Sequence, residues 1–275
     1  MPHIEARDGT RLFYKDWGSG PPVVLIHGWP LNADSWEYQA PALADAGFRV
    51  VAYDRRGFGR SEQPWTGYDY DTFADDLAAL LDGLDLRGAT LVGFSMGGGE
   101  VVRYLGRHGT SRVAKACLVA AVPPFLLKTA DNPEGADASV FEGMIESLKK
   151  DRPGFLAGFA KTFYGVGPLT FSVSDGILDW TAFMANHASP HATIQCVRAF
   201  GFTDFRPDMP KVTVPTLVIH GDADAIVPIK VSGQTSSSLI PGARLETYAG
   251  GSHGIFYTER ERLARDLIAF ARGGG

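Results

Sequence analysis

The chain has 275 residues, 45% of them hydrophobic and 21% charged, which is the composition of a folded globular protein and excludes a disordered one. A net charge of −5 leaves no basic surface to neutralise phosphates, which argues against nucleic acid as a partner. No apolar run approaches the roughly 18 residues of a membrane span, so we expect no membrane partner. The first twenty residues are charged and alternating, unlike a signal or transit peptide. The only two cysteines, Cys117 and Cys196, lie far apart and form no C-x-x-C motif, so we expect a cytoplasmic protein.

Strands and helices are predicted to alternate along most of the chain. The segment 11–18 alternates like a solvent-facing antiparallel strand. Apolar runs predict strands over 23–28, 48–54, 89–94 and 113–122, and further strands are predicted over 212–221 and 243–250. Helical spacing of apolar residues predicts helices over 36–47, 71–86, 96–109 and 259–272. This alternation predicts an α/β fold with a mostly parallel sheet that is covered by helices.

One long segment interrupts this alternation. Residues 123–210 are rich in Phe, Gly and Pro, contain no clear buried strand, and space their apolar residues as helices do. Such a segment is too long for a simple connection. We therefore predict a core of residues 1–122 and 211–275, with 123–210 inserted as a small helical cap over one end of the sheet.

The stretch "VGFSMGGGE" (92–100) places Ser95 in a G-x-S-x-G motif between a predicted strand and a predicted helix. This is the setting of the nucleophile elbow, in which a sharp strand-to-helix turn exposes the serine. A plain turn with a small serine at the helix start would give the same letters. The motif alone therefore does not separate a nucleophile from a turn residue.

An acid and a base follow Ser95 in the order Ser–Asp–His, which is the chain order of the triad that accompanies a nucleophile elbow. "HGDADAIVP" places Asp222 and Asp224 directly after a predicted strand, and "GGSHGIF" places His253 in a glycine-rich loop after the next strand. A single histidine is usually a surface or core residue. Three candidates in the right order at three strand ends favour a catalytic triad of Ser95, Asp224 and His253, with Asp222 bound to backbone in the turn.

The oxyanion hole of such an enzyme combines the N–H that follows the nucleophile with one from the loop after an early strand. These donors are predicted to be the backbone N–H groups of Met96 and, in "LIHGWP", of Trp29, because Pro30 has no N–H. His27 in the same loop is expected to shape the loop rather than to transfer protons. No metal site is predicted, since Pro190 disrupts the helical spacing of His187 and His191.

The motifs "HGWP", "DRRGFGRS", "PWTGYDYDTFADDL", "GFSMGGGE", "HGDADAIVP" and "GGSHGIF" together resemble the α/β-hydrolase superfamily. More closely, they are similar to its branch of cofactor-free haloperoxidases, perhydrolases and aryl esterases. The resemblance covers nearly the whole chain and is loosest in the cap. It implies an eight-stranded sheet with a small helical cap, no metal and no organic cofactor. It also places the nucleophile, acid and base on Ser95, Asp224 and His253, and the oxyanion donors on Trp29 and Met96.

The expected activity is hydrolysis of small esters through an acyl-enzyme, with water or hydrogen peroxide as the second substrate. Peroxide would yield a peracid, which can oxidise halide outside the protein. The predicted substrate pocket is apolar and aromatic, with candidates Trp29, Phe125, Phe159, Phe163 and Ile226, although core packing also explains any single phenylalanine. A lactam or amide hydrolase with the same triad is the alternative, and a non-catalytic receptor on this fold is a further one. The sequence does not identify the natural substrate or show whether a homo-oligomer forms. The "DRRGFGRS" loop, with Asp54 and Arg56, is expected to have a structural role.

Overall fold

The computed structural model describes residues 1–167, 170 and 172–273. The strands are β1 (His3–Glu5), β2 (Arg11–Gly18), β3 (Pro22–Ile26), β4 (Arg49–Tyr53), β5 (Ala89–Phe94), β6 (Val113–Val119), β7 (Thr216–Gly221) and β8 (Arg244–Tyr248). The helices are α1 (Gln39–Asp45), α2 (Tyr70–Gly83), α3 (Met96–His108), α4 (Ala138–Phe163), α5 (Asp175–Asn186), α6 (Pro190–Phe202), α7 (Gly233–Leu239), α8 (Ile255–Thr258) and α9 (Arg260–Arg272). In the described part of the chain, no helix is long and apolar enough to cross a membrane.

The eight strands form a single sheet in the order β1-β2-β4-β3-β5-β6-β7-β8. The β1–β2 and β2–β4 pairs are antiparallel, and the pairs from β4 to β8 are parallel. Because parallel strands end at the same edge of a sheet, the loops after β3, β5, β7 and β8 meet at one edge. This confirms the prediction of a mostly parallel sheet of about eight strands.

The sheet is buried on both faces because its apolar strands alternate their side chains between two helical layers. In β3, Val24 and Ile26 belong to the apolar cluster that includes Leu77 of α2 and Val101 of α3. The neighbouring residues of β3 belong to a second cluster on the opposite face, which includes α1 and α9. Burial on both faces explains why these strands are continuous apolar runs.

Two strand boundaries differ from the predicted ones by three residues or more. β6 ends at Val119 rather than at residue 122, because Val119 is its last residue in register with β7 and Ala120 takes a positive φ of 44°. β7 begins at Thr216 rather than at residue 212, after Pro215, which has no N–H to donate to a ladder. Two elements are not evident from the sequence: β1 is only three residues long, and the sequence of α7, "GQTSSSL", has weak helix propensity.

The segment predicted as a cap contains α4, α5 and α6. The backbone of α4 breaks at Asp151, which has φ −157° and ψ 83°, two residues before Pro153. A proline inside a helix removes one backbone donor, and the Asp151 side chain accepts a 3.0 Å hydrogen bond from the Gly154 N–H as a helix N-cap does. The break lets the two halves of α4 run in different directions over the sheet edge.

Candidate active site

The sheet edge brings the three predicted catalytic residues into one hydrogen-bonded row. Ser95 follows β5, Asp224 follows β7 and His253 follows β8. The Ser95 Oγ lies 2.9 Å from Nε2 of His253, and Nδ1 of His253 lies 2.7 Å from Oδ2 of Asp224. All three side chains are buried. The row can therefore move a proton from the serine hydroxyl to the imidazole, with the carboxylate on the far side of the ring.

Ser95 lies on a strained turn that only small neighbours permit. Its φ is 53° and its ψ is −119°, outside the regions that residues with a side chain normally adopt. A Cβ on Gly97 would lie 2.6 Å from the carbonyl oxygen of Ile26, and one on Gly93 would collide with the carbonyl oxygen of Gly97. The two glycines of the motif are thus needed for the close approach of the backbone around the serine.

Asp224 is held by donors on both oxygens of its carboxylate. Its Oδ1 accepts hydrogen bonds from the N–H groups of Ile226 (2.9 Å) and Val227 (2.8 Å). Burial alone would raise the pKa of Asp224, but the charge of His253 and hydrogen bonds from His220 and His253 hold that pKa well below its usual range. Asp224 is therefore an anion, and its second carboxylate oxygen faces Nδ1 of His253.

His220 is a buried histidine that lies beside the carboxylate of Asp224. Its ring is fully buried, and its Nε2 lies 2.8 Å from the carbonyl oxygen of Val227 and 3.3 Å from Oδ2 of Asp224. Both neighbours are acceptors, so Nε2 carries the proton. The position of His220 at the end of β7, four residues before Asp224, was the signal available in the sequence.

Asp222 is placed away from the imidazole. It is exposed, and its Oδ1 accepts a 2.6 Å hydrogen bond from the N–H of Gly250 in the loop after β8. The prediction that Asp222 binds backbone in its own turn is therefore wrong for this bond, because Gly250 lies in the neighbouring loop. Asp222 therefore connects the loops that carry Asp224 and His253.

The two predicted oxyanion donors come from elements that meet beside Ser95. Met96 is the first residue of α3, where backbone N–H groups are free of helical partners. The loop of Trp29 approaches so closely that a Cβ on Gly28 would lie 2.9 Å from the Cβ of Ser95. The indole of Trp29 also donates a 3.0 Å hydrogen bond to the carbonyl oxygen of Thr193 in α6, which connects this loop to the cap.

His27 lies beneath this loop as a neutral ring. Its Nε2 accepts a 3.0 Å hydrogen bond from the Arg55 N–H, so the proton is on Nδ1, which lies 2.9 Å from the Gly28 carbonyl oxygen. Burial, reinforced by the charge of Arg55, lowers the pKa of His27 well below 6.5. This geometry suits a residue that shapes the loop.

The buried neutral His27 predicts a pH-dependent stability. Below pH 6.5 the unfolded chain binds a proton at His27 and the folded protein does not, so acid favours unfolding. This group alone should lower the free energy of unfolding by about 1.4 kcal/mol per pH unit below that value. Urea unfolding between pH 5 and 7.5 should show a smaller slope in His27→Gln, which cannot take the proton. An identical slope in the two proteins would contradict the assignment.

A cavity of about 310 Å³ opens beside Ser95 and His253. Its wall is mostly apolar, and three of the predicted pocket residues line it, namely Trp29, Phe159 and Ile226. Several further residues that were not predicted line the cavity, most of them in the cap: Leu126, Val140, Phe141, Met144, Phe200 and Val231. Phe141 and Met144 are three residues apart in α4, which is the spacing that places two side chains on one helix face.

The structure places the other two pocket candidates outside the cavity wall. Phe163 packs edge-on against the ring of His253, with ring centroids 4.9 Å apart, and is not part of the cavity wall. Phe125 is buried under the guanidinium of Arg206, which lies 4.9 Å from its ring centroid. Neither ring is among the residues that line this cavity, so their contact with a substrate stays a prediction.

The histidines weighed as metal ligands lie apart from this site. His187 contacts the carbonyl oxygen of Phe183, and His191 contacts that of Trp65 while its ring stacks on the Trp65 indole. Across the described ranges, no group of three or more His, Cys, Asp or Glu side chains is arranged to hold a metal ion.

Comparisons with known proteins agree with this geometry. Residues 21–260 match the α/β-hydrolase fold family. A non-heme chloroperoxidase of Kitasatospora aureofaciens is 47% identical over 98% of this chain and 99% of its own. A bifunctional esterase/perhydrolase of Acinetobacter calcoaceticus is 42% identical over 99% of this chain and 100% of its own. The solved structure of a bromoperoxidase from Bacillus anthracis is 46% identical, covers 98% of this chain and 100% of its own, and superposes with a TM-score of 0.94.

These similarities extend over the whole domain and confirm the predicted family, fold class and class of enzyme. The chain therefore belongs to the α/β-hydrolase family and, within it, to the branch of the cofactor-free haloperoxidases and esterase/perhydrolases.

Proposed function

We propose that this protein hydrolyses small esters through an acyl-enzyme on Ser95, and that hydrogen peroxide can replace water in the second half of the reaction. The observation that carries the proposal is the buried row Ser95–His253–Asp224 at the mouth of an apolar cavity. In this proposal Ser95 is the nucleophile, His253 the general base and acid, and Asp224 the orienting anion.

The first half-reaction transfers the acyl group to the protein. His253 Nε2 takes the proton of Ser95 as Oγ attacks the ester carbonyl, and the oxygen of the tetrahedral intermediate accepts hydrogen bonds from the N–H groups of Trp29 and Met96. Collapse of the intermediate breaks the bond to the alkoxide, which takes the proton from His253 and leaves as the alcohol. Asp224 stabilises the protonated imidazole throughout.

The second half-reaction removes the acyl group. His253 takes a proton from water or hydrogen peroxide, the resulting oxygen nucleophile attacks the acyl carbon, and Ser95 leaves with the proton that His253 returns. Water gives the carboxylic acid and peroxide gives the peracid. The peracid can then oxidise halide in solution, which accounts for haloperoxidase activity without a redox centre in the protein.

The decisive experiment measures both products from one ester. Purified protein with phenyl acetate should release phenol in a burst, followed by acetic acid, and should release peracetic acid in addition when hydrogen peroxide is present. Ser95→Ala should abolish both products together. Peracid formation that survives in Ser95→Ala would show that the peroxide reaction does not pass through the acyl-enzyme.

A lactam or amide hydrolase remains the second candidate, because the same triad serves amide bonds. The apolar cavity favours esters of simple acids over polar bicyclic lactams. Comparing kcat/KM for phenyl acetate and a small bicyclic lactam separates the two. A larger value for the lactam would reverse our assignment.

The cavity also predicts a preference for chain length. Met144 lines it from α4, and a larger side chain there would fill space that an acyl chain can occupy. We expect Met144→Trp to lower kcat/KM for a phenyl hexanoate by about tenfold relative to phenyl acetate, since two to three buried methylenes lose their space. Met144→Leu, which conserves volume, is the matched control and should keep the wild-type ratio. Equal effects of Met144→Trp on both esters would place the acyl chain elsewhere.

We further propose that residues 123–210 act as a cap, since α4 and α6 supply much of the cavity wall. A cytoplasmic location is proposed as well, because Cys117 and Cys196 are both buried free thiols, as expected in a reducing compartment.

A further inference from the structure

We propose that Arg55 is a positioning residue of the oxyanion hole, which fixes the loop that carries the Trp29 N–H relative to the helix that carries the Met96 N–H. The inference rests on the proposed function, since it takes these two groups as the oxyanion donors. Arg55 follows β4, is 1% exposed, and reaches both elements with one side chain.

On the loop side, Arg55 holds His27 at two points. Its Nη2 donates a 2.9 Å hydrogen bond to the His27 carbonyl oxygen, and its backbone N–H donates one of 3.0 Å to Nε2 of the His27 ring. The second bond leaves the ring proton on Nδ1, from which it is donated to the Gly28 carbonyl oxygen at 2.9 Å.

That carbonyl belongs to the same peptide group as the Trp29 N–H. A peptide group is planar, so fixing the direction of the Gly28 C=O fixes the direction of the Trp29 N–H. The Leu31 N–H donates a second hydrogen bond, of 3.0 Å, to the same oxygen. Donors on the carbonyl also polarise the peptide and strengthen its N–H as a donor.

On the helix side, Arg55 is anchored to α3. Its Nε donates a 2.8 Å hydrogen bond to Oε2 of Glu100, which is fully buried and lies four residues, about one helical turn, after Met96. The Met96 carbonyl is held separately by the Tyr70 hydroxyl at 3.1 Å. The guanidinium thus spans from the loop of one oxyanion donor to the helix of the other.

Stability alone does not explain this arrangement. A buried ion pair is seldom more stabilising than apolar residues of the same size, and this one leaves Nη1 of Arg55 and Oε1 of Glu100 without a hydrogen-bond partner in the described part of the chain. The adjacent pair Arg56–Asp76 is equally buried but better matched, with 2.6 Å bonds to both carboxylate oxygens. Arg56 also pairs with Asp8, but in the described part of the chain neither Arg56 nor Asp76 bonds to His27 or Glu100, so this pair serves as the control.

The experiment compares two double variants in the full-length protein. Arg55→Met/Glu100→Met removes both buried charges together and with them the side-chain bond to the His27 carbonyl oxygen, while the backbone bond to the His27 ring stays in place. Arg56→Met/Asp76→Met removes the neighbouring buried pair and, with it, the bond from Arg56 to Asp8. For the first we expect kcat for phenyl acetate to fall about 10- to 100-fold, with KM changed less than about threefold, because donor placement matters most in the transition state. Affinity for phenylboronic acid, which forms a tetrahedral adduct on a serine, should fall in parallel. The pH at which kcat/KM falls to half its maximum on the acidic side should stay unchanged.

The control pair should keep kcat and boronate affinity within about threefold of wild type. If Arg55→Met/Glu100→Met fails to fold, as judged by its thermal transition, Arg55→Lys replaces it. The lysine keeps a cation near Glu100 but lacks the fork that reaches His27, so the same fall in kcat is expected. Wild-type kcat and boronate affinity in the folded Arg55 variant, or an equal loss in the control pair, would overturn the proposal. A wild-type protein without ester turnover would instead overturn the proposed function.

Discussion

Ser95→Ala is expected to lower kcat for ester hydrolysis by about four to six orders of magnitude while the protein stays folded. In the proposed mechanism the hydroxyl oxygen of Ser95 forms the acyl-enzyme, and no other serine lies at hydrogen-bond distance from Nε2 of His253 in the described structure. The residual rate would come from the oxyanion donors and the cavity alone.

The fold should tolerate this change. Ser95 already carries a Cβ at its positive φ, so alanine adds no backbone strain. The loss is one buried hydrogen bond to His253, worth about 1 kcal/mol. The Tm should therefore shift by only a few degrees.

Steady-state kinetics with phenyl acetate and a thermal melt on the same preparation check this result. Ser238→Ala, at an exposed position of α7, is the matched control and should behave as wild type. A Ser95→Ala variant that kept about a tenth of the wild-type kcat would remove Ser95 from the mechanism.

The core strands and their loops could be predicted because their signals are local. Continuous apolar runs identify strands buried on both faces, and the small residues around Ser95 reflect a turn whose backbone contacts exclude larger side chains. The order of Ser95, Asp224 and His253 at successive strand ends then follows from the parallel sheet. These parts needed no knowledge of how distant elements pack.

The cavity wall could not be predicted in the same way. Phe125, Phe141 and Phe163 are all phenylalanines of the cap segment, yet only Phe141 lines the cavity. Each ring packs on partners far away in the sequence, such as Phe200 for Phe141 and His253 for Phe163. The contacts of Arg55 with His27 and Glu100 could not be predicted for the same reason, because these partners are 28 and 45 residues away from Arg55 in the sequence.

The two aspartates of the "HGDADAIVP" loop should respond very differently to the same change. Asp224→Asn replaces the charged carboxylate with a neutral amide, so the charge that stabilises protonated His253 in the proposed mechanism is lost. The two backbone donors at Ile226 and Val227 keep the amide oxygen on their side. The NH₂ group then faces Nδ1 of His253, donor against donor, which favours the tautomer with its proton on Nε2.

An imidazole with its proton on Nε2 cannot accept the proton of Ser95, so kcat should fall by about four orders of magnitude. In Asp222→Asn the new amide oxygen can still accept the bond from the Gly250 N–H, at an exposed position. We expect kcat within about threefold of wild type and a loss of stability below about 1 kcal/mol. Steady-state kinetics and urea unfolding of both variants, side by side, check the ranking. If Asp222→Asn were the inactive variant and Asp224→Asn the active one, the carboxylate beside His253 would not be the catalytic acid.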